Sequence, residues 1–233
     1  MEPISKLNLE RITNGIYAFT MTLLVRNIAF PEQTAVMSDA AIDMYIMTTV
    51  ISVFNFIGAF IILGMFWLFY FQMFHRIRSV DFHFVHLHLL SLMIVVFVPF
   101  TQSFTDDEFG LSILEVLFHF NYFALATLLI VQWHYAANNP ALIEPGMTWP
   151  EVDFLQKKFL VPLVVSLLGI VLVLSGMQYI DFLYLLPFVI LGIFFRKPPE
   201  RTVTEAGGAD PARDDGDETD PAPVQEEIPE ENA

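Results

Sequence analysis

Apolar residues in this chain come in long runs separated by short polar segments. A bilayer core is crossed by ~20 mainly apolar helical residues. Six stretches meet or approach that measure: Leu9 to Ile28, Met44 to Phe74, Phe84 to Phe104, Leu111 to Tyr135, Phe159 to Tyr179 and Phe182 to Phe195. The pattern predicts an all-α membrane protein with six transmembrane helices. The second run is long enough to tilt or to project past the bilayer. The sixth is short and contains Pro187, which predicts an irregular upper end or a hairpin shared with the fifth. Pro140, Pro145 and Pro150 break the connection between the fourth and fifth runs. They divide the helices into a group of four and a final hairpin.

The first run is the least apolar. Arg11, Thr13, Asn14, Thr20, Thr22 and Arg26 lie along a segment that otherwise has to cross hydrocarbon. Polar and ionisable groups there are costly, so they face protein or water rather than lipid. At 100° per residue, Ile12, Gly15, Ile16, Phe19, Thr22, Leu23 and Arg26 share a stripe about 120° wide. Arg11, Asn14 and Ala18 fall together on a flank. One face on a pathway and another bonded to neighbours fits this division. A helix buried all round, with its threonine hydroxyls bonded one turn back, fits it too.

Composition adds class and orientation. The 233 residues are 55% hydrophobic with 24 Phe, far too apolar for a soluble domain of this size. Met1 to Leu9 is polar and does not read as a cleavable signal, so the N-terminus is expected to stay on the chain. The formal charge of -15 is concentrated in the segment from Lys197 to Ala233, where 12 acids face 3 bases. That acidic, Pro/Gly-rich tail (197–233) reads as disordered and cytosolic, a solvated tail first and a binder of a cytosolic partner second, beside a membrane domain of residues 1–196. No basic patch exists to neutralise phosphates, which argues against nucleic acid. Lys6, Arg11, Arg76, Arg78, Lys157, Lys158, Arg196, Lys197 and Arg201 fall on one side of a six-span topology. Glu32, Asp39, Asp43, Asp106, Asp107, Glu108 and Asp181 fall on the other, together with Arg26. The positive-inside rule then predicts an integral cell-membrane protein with both termini cytoplasmic.

Candidate chemistry is sparse. With no cysteine, disulfides and thiolate chemistry are excluded. No nucleophile with its base, no paired carboxylates and no phosphate loop are present, so an enzyme is not expected. His83, His86 and His88, with His75 nearby, fit a hydrogen-bond network, a pH-responsive group or a metal site, in that order. Asn55, Asn121 and His134 are further polar groups within the runs. Glu115 and His119 are four apart and suit either an inter-helix contact or the proton relay of a secondary transporter. Trp67, Trp133 and Trp149 read as interfacial anchors. No sequence repeat of the kind found in duplicated transporters is evident.

The run ITNGIYAFTMTLLV resembles the first-helix signature FSDGxFAIxxTLLV of the transmembrane protein 175 family of lysosomal and prokaryotic potassium channels. Gly15, Ala18, Thr22, Leu23, Leu24 and Val25 carry the likeness, with Thr13 for Ser and Asn14 for Asp. HRIRSVDFHFVHLHLL, followed by PFTQSF, resembles a second family pattern through His75, Asp81, Pro99, Phe100 and Thr101. The resemblance implies a homotetramer in membrane lipid, with four copies of helix one lining a central pore. It implies a passive cation channel, potassium-permeable, without cofactor and without the TVGYG carbonyl filter, which this sequence also lacks. By the same likeness Phe19, Thr22 and Leu23 form the constriction, Arg26 sits at the pore mouth, and Arg11, Thr13, Asn14, His75, Asp81 and His88 form an inner polar network. This chain departs from the pattern at Asn14, at Phe19 where Ile or Leu is common, at His88 where Asn is common, and at Arg26. The alternative to a channel is a proton-coupled or metal-ion secondary transporter built on Glu115 and His119.

Overall fold

The computed structural model describes residues 5–28, 38–103, 112–177 and 180–195. The described residues form six α-helices: α1 Lys6–Leu23, α2 Asp39–Arg76, α3 Phe82–Gln102, α4 Ser112–Ala137, α5 Trp149–Leu174 and α6 Leu186–Phe194. A 3-10 turn, Leu24–Asn27, continues α1, and a 3-10 segment, Ile180–Leu185, leads into α6. The acidic tail and the outer acids Glu32, Asp106, Asp107 and Glu108 lie outside the described residues.

Local chemistry sets the helix ends. The Ser5 hydroxyl accepts from Asn8 N–H at 3.3 Å and the Ser38 hydroxyl from Ala41 N–H at 3.4 Å. Asp81 Oδ1 accepts from Phe84 N–H at 2.8 Å, which opens α3. Thr148 N–H donates to Glu151 Oε2 at 2.9 Å at the start of α5. Each bond satisfies a backbone or cap group that the first turn leaves without a helical partner. Pro99 and Pro162 sit inside α3 and α5, tolerated because neighbouring helices fix the freed backbone.

Four described helices, α2 to α5, are long and apolar enough to cross a membrane. α2, with 38 residues, is about 57 Å long, well beyond a hydrocarbon core. α1 has the length, at 18 residues, but carries the polar groups noted above. The sixth predicted span is not one continuous helix: residues 180–185 wind tightly and only nine residues, with Pro187 in the first turn, are α-helical. Proline at that position suits a helix start and cannot sit inside one without loss of a backbone bond.

The core lies between α2, α3, α4 and α5. α4 packs chiefly on α5 and on α3, while α1 lies across α3 and α2. Aromatic rings fill it: Phe69 and Trp133 both meet Phe159 edge to face, at 5.5 Å and 5.8 Å. Trp133, expected as an interfacial anchor, is fully buried, and its indole N–H donates to Val152 O at 3.3 Å. The indole is therefore dry and still satisfied, as a buried tryptophan requires. At the Arg76 end the two connecting loops are joined. Ile77 and Ile143 form an antiparallel bridge, and Arg78 N–H donates to Leu142 O at 2.7 Å. Arg76 lies 3.7 Å from Glu144 and 3.9 Å from Glu151.

Between α4 and α5 a residue without a side chain faces a buried ring. A Cβ on Gly169 would stand 2.6 Å from His119 Nδ1.

Candidate functional site

α1 has two unlike faces. Leu9, Thr13, Tyr17, Thr20 and Leu24 are buried, at spacings of three and four that make one helical stripe against α2 and α3. Around the rest of the helix Arg11, Ile12, Gly15, Ala18, Phe19, Thr22, Val25 and Arg26 are exposed. Phe19 is 61% exposed, Val25 50% and Ile12 47%. Ile16 and Leu23 lie half-buried at the edge. The Thr22 hydroxyl donates to Phe19 O at 2.7 Å, so its proton is committed to the backbone and its lone pairs face outward. An outward row of apolar side chains with a hydroxyl oxygen beside it offers a cation one weak oxygen ligand in an otherwise apolar strip.

Three side-chain bonds tie α1 to the bundle. Thr13 Oγ1 lies 2.7 Å from His88 Nε2 on α3. Asn14 Oδ1 accepts the Trp67 indole N–H from α2 at 2.8 Å. Asn27 Nδ2 donates to Pro99 O at 2.8 Å. The first belongs to a buried cluster. His88 Nδ1 is 2.9 Å from Gln132 Oε1 on α4, and Gln132 Nε2 reaches Ser91 Oγ at 2.6 Å, Leu128 O at 2.9 Å and Tyr70 OH at 3.2 Å. A main-chain carbonyl only accepts, so the amide nitrogen of Gln132 must face Leu128 O and its oxygen must face His88. The His88 Nδ1 therefore carries a proton. Tyr70, Phe74 and Phe84 enclose the ring, with centroids at 5.0, 5.0 and 6.2 Å.

The six residues assigned by resemblance to one polar network are brought together only in part. Thr13 and His88 meet directly. Asn14 turns to Trp67, and a cavity of about 300 Å³ lined by Thr13, Asn14, Lys6, Glu10, Trp67 and His75 lies between α1 and α2. Asp81 caps α3 and accepts the Tyr135 hydroxyl at 2.6 Å. Arg11 is exposed, two residues and so about 160° round the helix from Thr13. Sequence reasoning missed Gln132, Tyr70, Ser91 and Trp67 as partners. Gln132, a lone amide in the run LLIVQWHY, carried a signal, since such groups in apolar helices usually bond to another helix. Tyr70 and Trp67 carried none beyond being aromatic.

The remaining polar groups have local roles. His86 Nδ1 donates to Phe82 O at 2.7 Å, and His134 lies 3.3 Å from Asn138 Nδ2. Among the described residues no three His, Asp or Glu side chains come together as metal ligands. His119 Nδ1 lies 2.6 Å from the Tyr184 hydroxyl, with the two rings stacked at 5.4 Å. Asn121 Nδ2 donates to Thr101 Oγ1 at 3.1 Å. Asn55 borders a second, largely apolar cavity of about 230 Å³ between α2, Gln102, Phe118 and Tyr184.

Residues 8–99, which hold α1, α2 and most of α3, match the sequence model of a family described as endosomal/lysosomal potassium channel TMEM175. The fold agrees. A crystal structure of a lysosomal potassium-selective channel TMEM175 homolog from Chamaesiphon Minutus superposes with a TM-score of 0.65 at 20% identity, covering 82% of this chain and 95% of that one. Over residues 8–99 the chain is similar to the TMEM175 family, and it shares the fold of that TMEM175 homolog. TMEM175 is a family of ion channels and not of enzymes. No curated protein matches the chain. The matched stretch includes the Thr13 to His88, Asn14 to Trp67 and Asn27 to Pro99 contacts.

Proposed function

We propose that this chain is a TMEM175 member and a passive, potassium-permeable cation channel in which four chains meet along α1. The observation that carries this reading is the exposed stripe of α1. A helix docked by one narrow face, with Phe19 and Thr22 turned outward beside two arginines, leaves a mixed polar and apolar surface that lipid does not suit. Fourfold packing encloses that surface and gives the arginines water. Phe19 and Leu23 then form apolar rings that narrow the path and gate it by dewetting, with Thr22 supplying the nearest oxygen ligands. Arg26 stands at the outer mouth, where four guanidinium groups lower cation occupancy. Both termini face the cytoplasm, in keeping with the basic residues at the Arg76 end of the bundle.

The test is passive flux from purified protein in liposomes under potassium, sodium and caesium gradients, wild type beside Phe19→Ala. Cation-selective flux that rises in the variant is the expected result. Flux that requires a proton gradient and ignores Phe19 would move the working site to Glu115 and His119 within one subunit, the secondary-transporter reading.

A further inference from the structure

We propose that the cavity between α1 and α2 binds the headgroup of a zwitterionic phospholipid with a primary amine, phosphatidylethanolamine, and that one acyl chain lies along α2. The site does not depend on whether the protein conducts ions.

The cavity, of about 300 Å³, reaches the lower end of the size range of small-molecule sites. Its charged wall comes from the start of α1, where Lys6 and Glu10 stand one turn apart with 3.5 Å between Nζ and Oε1. His75 faces them from the last turn of α2, with Trp67 and Phe71 one and two turns before it. One cation and one anion give this wall no net charge. An anionic headgroup would set Glu10 against a like charge, and a lone amine would do the same to Lys6. A zwitterion matches both. The Lys6 ammonium has three hydrogens and the Glu10 carboxylate about four lone-pair positions, so their mutual contact leaves most of each unused. A surface pair one turn apart on a helix is weak, so a phosphate and an ammonium entering beside it meet little competition. Lys6 and a ring N–H of His75 then donate to the phosphate, and Glu10 accepts from the ammonium. A primary ammonium donates to a carboxylate. The trimethylated ammonium of a choline headgroup has no hydrogen to give, which selects ethanolamine.

The mouth of the cavity decides between a lipid and a soluble phosphoamine. Phe60, Gly64, Trp67 and Phe71 recur at spacings of four, three and four on α2, which makes one stripe of the helix. The stripe leads from the cavity for about 16 Å toward the middle of the span. Phe71 is 59% exposed and Phe60 43%. Gly64 leaves a dip between the rings, where only Met21 Cε comes near an added Cβ, at 3.9 Å. A chain of methylene groups fits such a track, and a soluble phosphoamine leaves it bare. Trp67 stands where headgroup and chain meet, its ring fixed by the indole N–H to Asn14 Oδ1 at 2.8 Å. Aromatic rings at that level anchor proteins at a membrane surface, and charged pockets at helix ends recognise lipid heads.

The experiment titrates full-length protein in detergent micelles with phosphatidylethanolamine carrying bromine on its acyl chains, and reads the quenching of tryptophan fluorescence. Trp67→Phe identifies the Trp67 signal among the three tryptophans. Saturable quenching of Trp67 is expected, at an affinity roughly fivefold or more above those of brominated phosphatidylcholine and phosphatidylglycerol. Glu10→Gln leaves one cation in the cavity and is expected to turn the preference toward phosphatidylglycerol. Lys6→Gln is expected to weaken ethanolamine binding by about fivefold. Equal quenching by all three lipids, or an order among them that neither variant changes, overturns the proposal, since bulk lipid then wets an apolar face without a headgroup site. Free phosphoethanolamine that displaces the brominated lipid at equal concentration overturns the lipid assignment. Native mass spectrometry of wild type needs no variant: retention of one phosphatidylethanolamine per chain, where the other two lipids dissociate, is expected, and equal retention of the three overturns the site.

Discussion

Gly169→Ala tests whether the close approach of α4 and α5 is as tight as the geometry requires. The added methyl would lie 2.6 Å from His119 Nδ1, 3.0 Å from Cε1 and 3.2 Å from Cγ. Carbon contacts settle near 3.5 to 4.0 Å, so the ring must move by about 1 Å. His119 is fully buried, stacked on Tyr184 and edge-on to Phe118 at 5.3 Å, and that motion pulls Nδ1 from the Tyr184 hydroxyl. Overpacking of this kind costs about 1 to 3 kcal/mol and the lost bond about 1 more, so about 2 to 4 kcal/mol in all. The assay is thermal unfolding in detergent, with an expected fall of roughly 5 to 12 °C. Gly64→Ala is the control, because its new methyl would meet only Met21 Cε at 3.9 Å. It is expected to leave stability unchanged or to add up to about 1 kcal/mol through helix propensity. His119→Ala in the Gly169→Ala background makes room for the methyl, and the cycle is expected to show coupling above about 1 kcal/mol. A Gly169→Ala protein that melts with wild type, or a double variant whose losses simply add, would refute the reasoning.

Phe19→Ala is expected to raise cation flux with little loss of subunit stability, since the ring is 61% exposed within the chain; paired flux and melting measurements check both halves. Arg26→Ala is expected to raise cation conductance. Two unit charges ~8 Å apart at an effective dielectric of ~20 interact by about 2 kcal/mol, so a rise of roughly two- to tenfold at low salt, shrinking at high salt, is the expected reading in single-channel recordings. Asn14→Ala removes the acceptor for the Trp67 indole and is expected to cost about 0.6 to 1.5 kcal/mol in thermal unfolding, the range of inter-helix bonds in membranes.

The apolar runs made the helical class legible, because a membrane span is written in composition and length alone. α2 to α5 each overlap a predicted run; α5 departs most, opening at Trp149, ten residues before the expected Phe159, because the Thr148–Glu151 capping box and Pro150 in the first turn start the helix there. The last run, short and holding Pro187, is expected to be irregular at one end: residues 180–185 wind as a 3-10 segment and Pro187 stands in the first turn of the nine-residue α6, where proline suits a helix start. Trp133 is where the pattern misled. Its place near the end of a run reads as an interface, but Phe159 and the Val152 carbonyl, each from α5, make that spot dry.

The sequence by itself determined that α1 is the odd helix, with polar groups at intervals that hydrocarbon does not tolerate, and the family pattern lies in the same residues. Periodicity also assigned Phe19, Thr22 and Arg26 to one stripe, since 100° per residue is a property of any α-helix. What periodicity could not supply was which stripe the bundle uses. The tertiary structure decided that, by burying Leu9, Thr13, Tyr17, Thr20 and Leu24 and leaving Phe19 outward. It decided the partners as well. Thr13 and His88 are 75 residues apart and His88 and Gln132 are 44 apart, so only the packing of α1, α3 and α4 brings three separate polar side chains to one buried point.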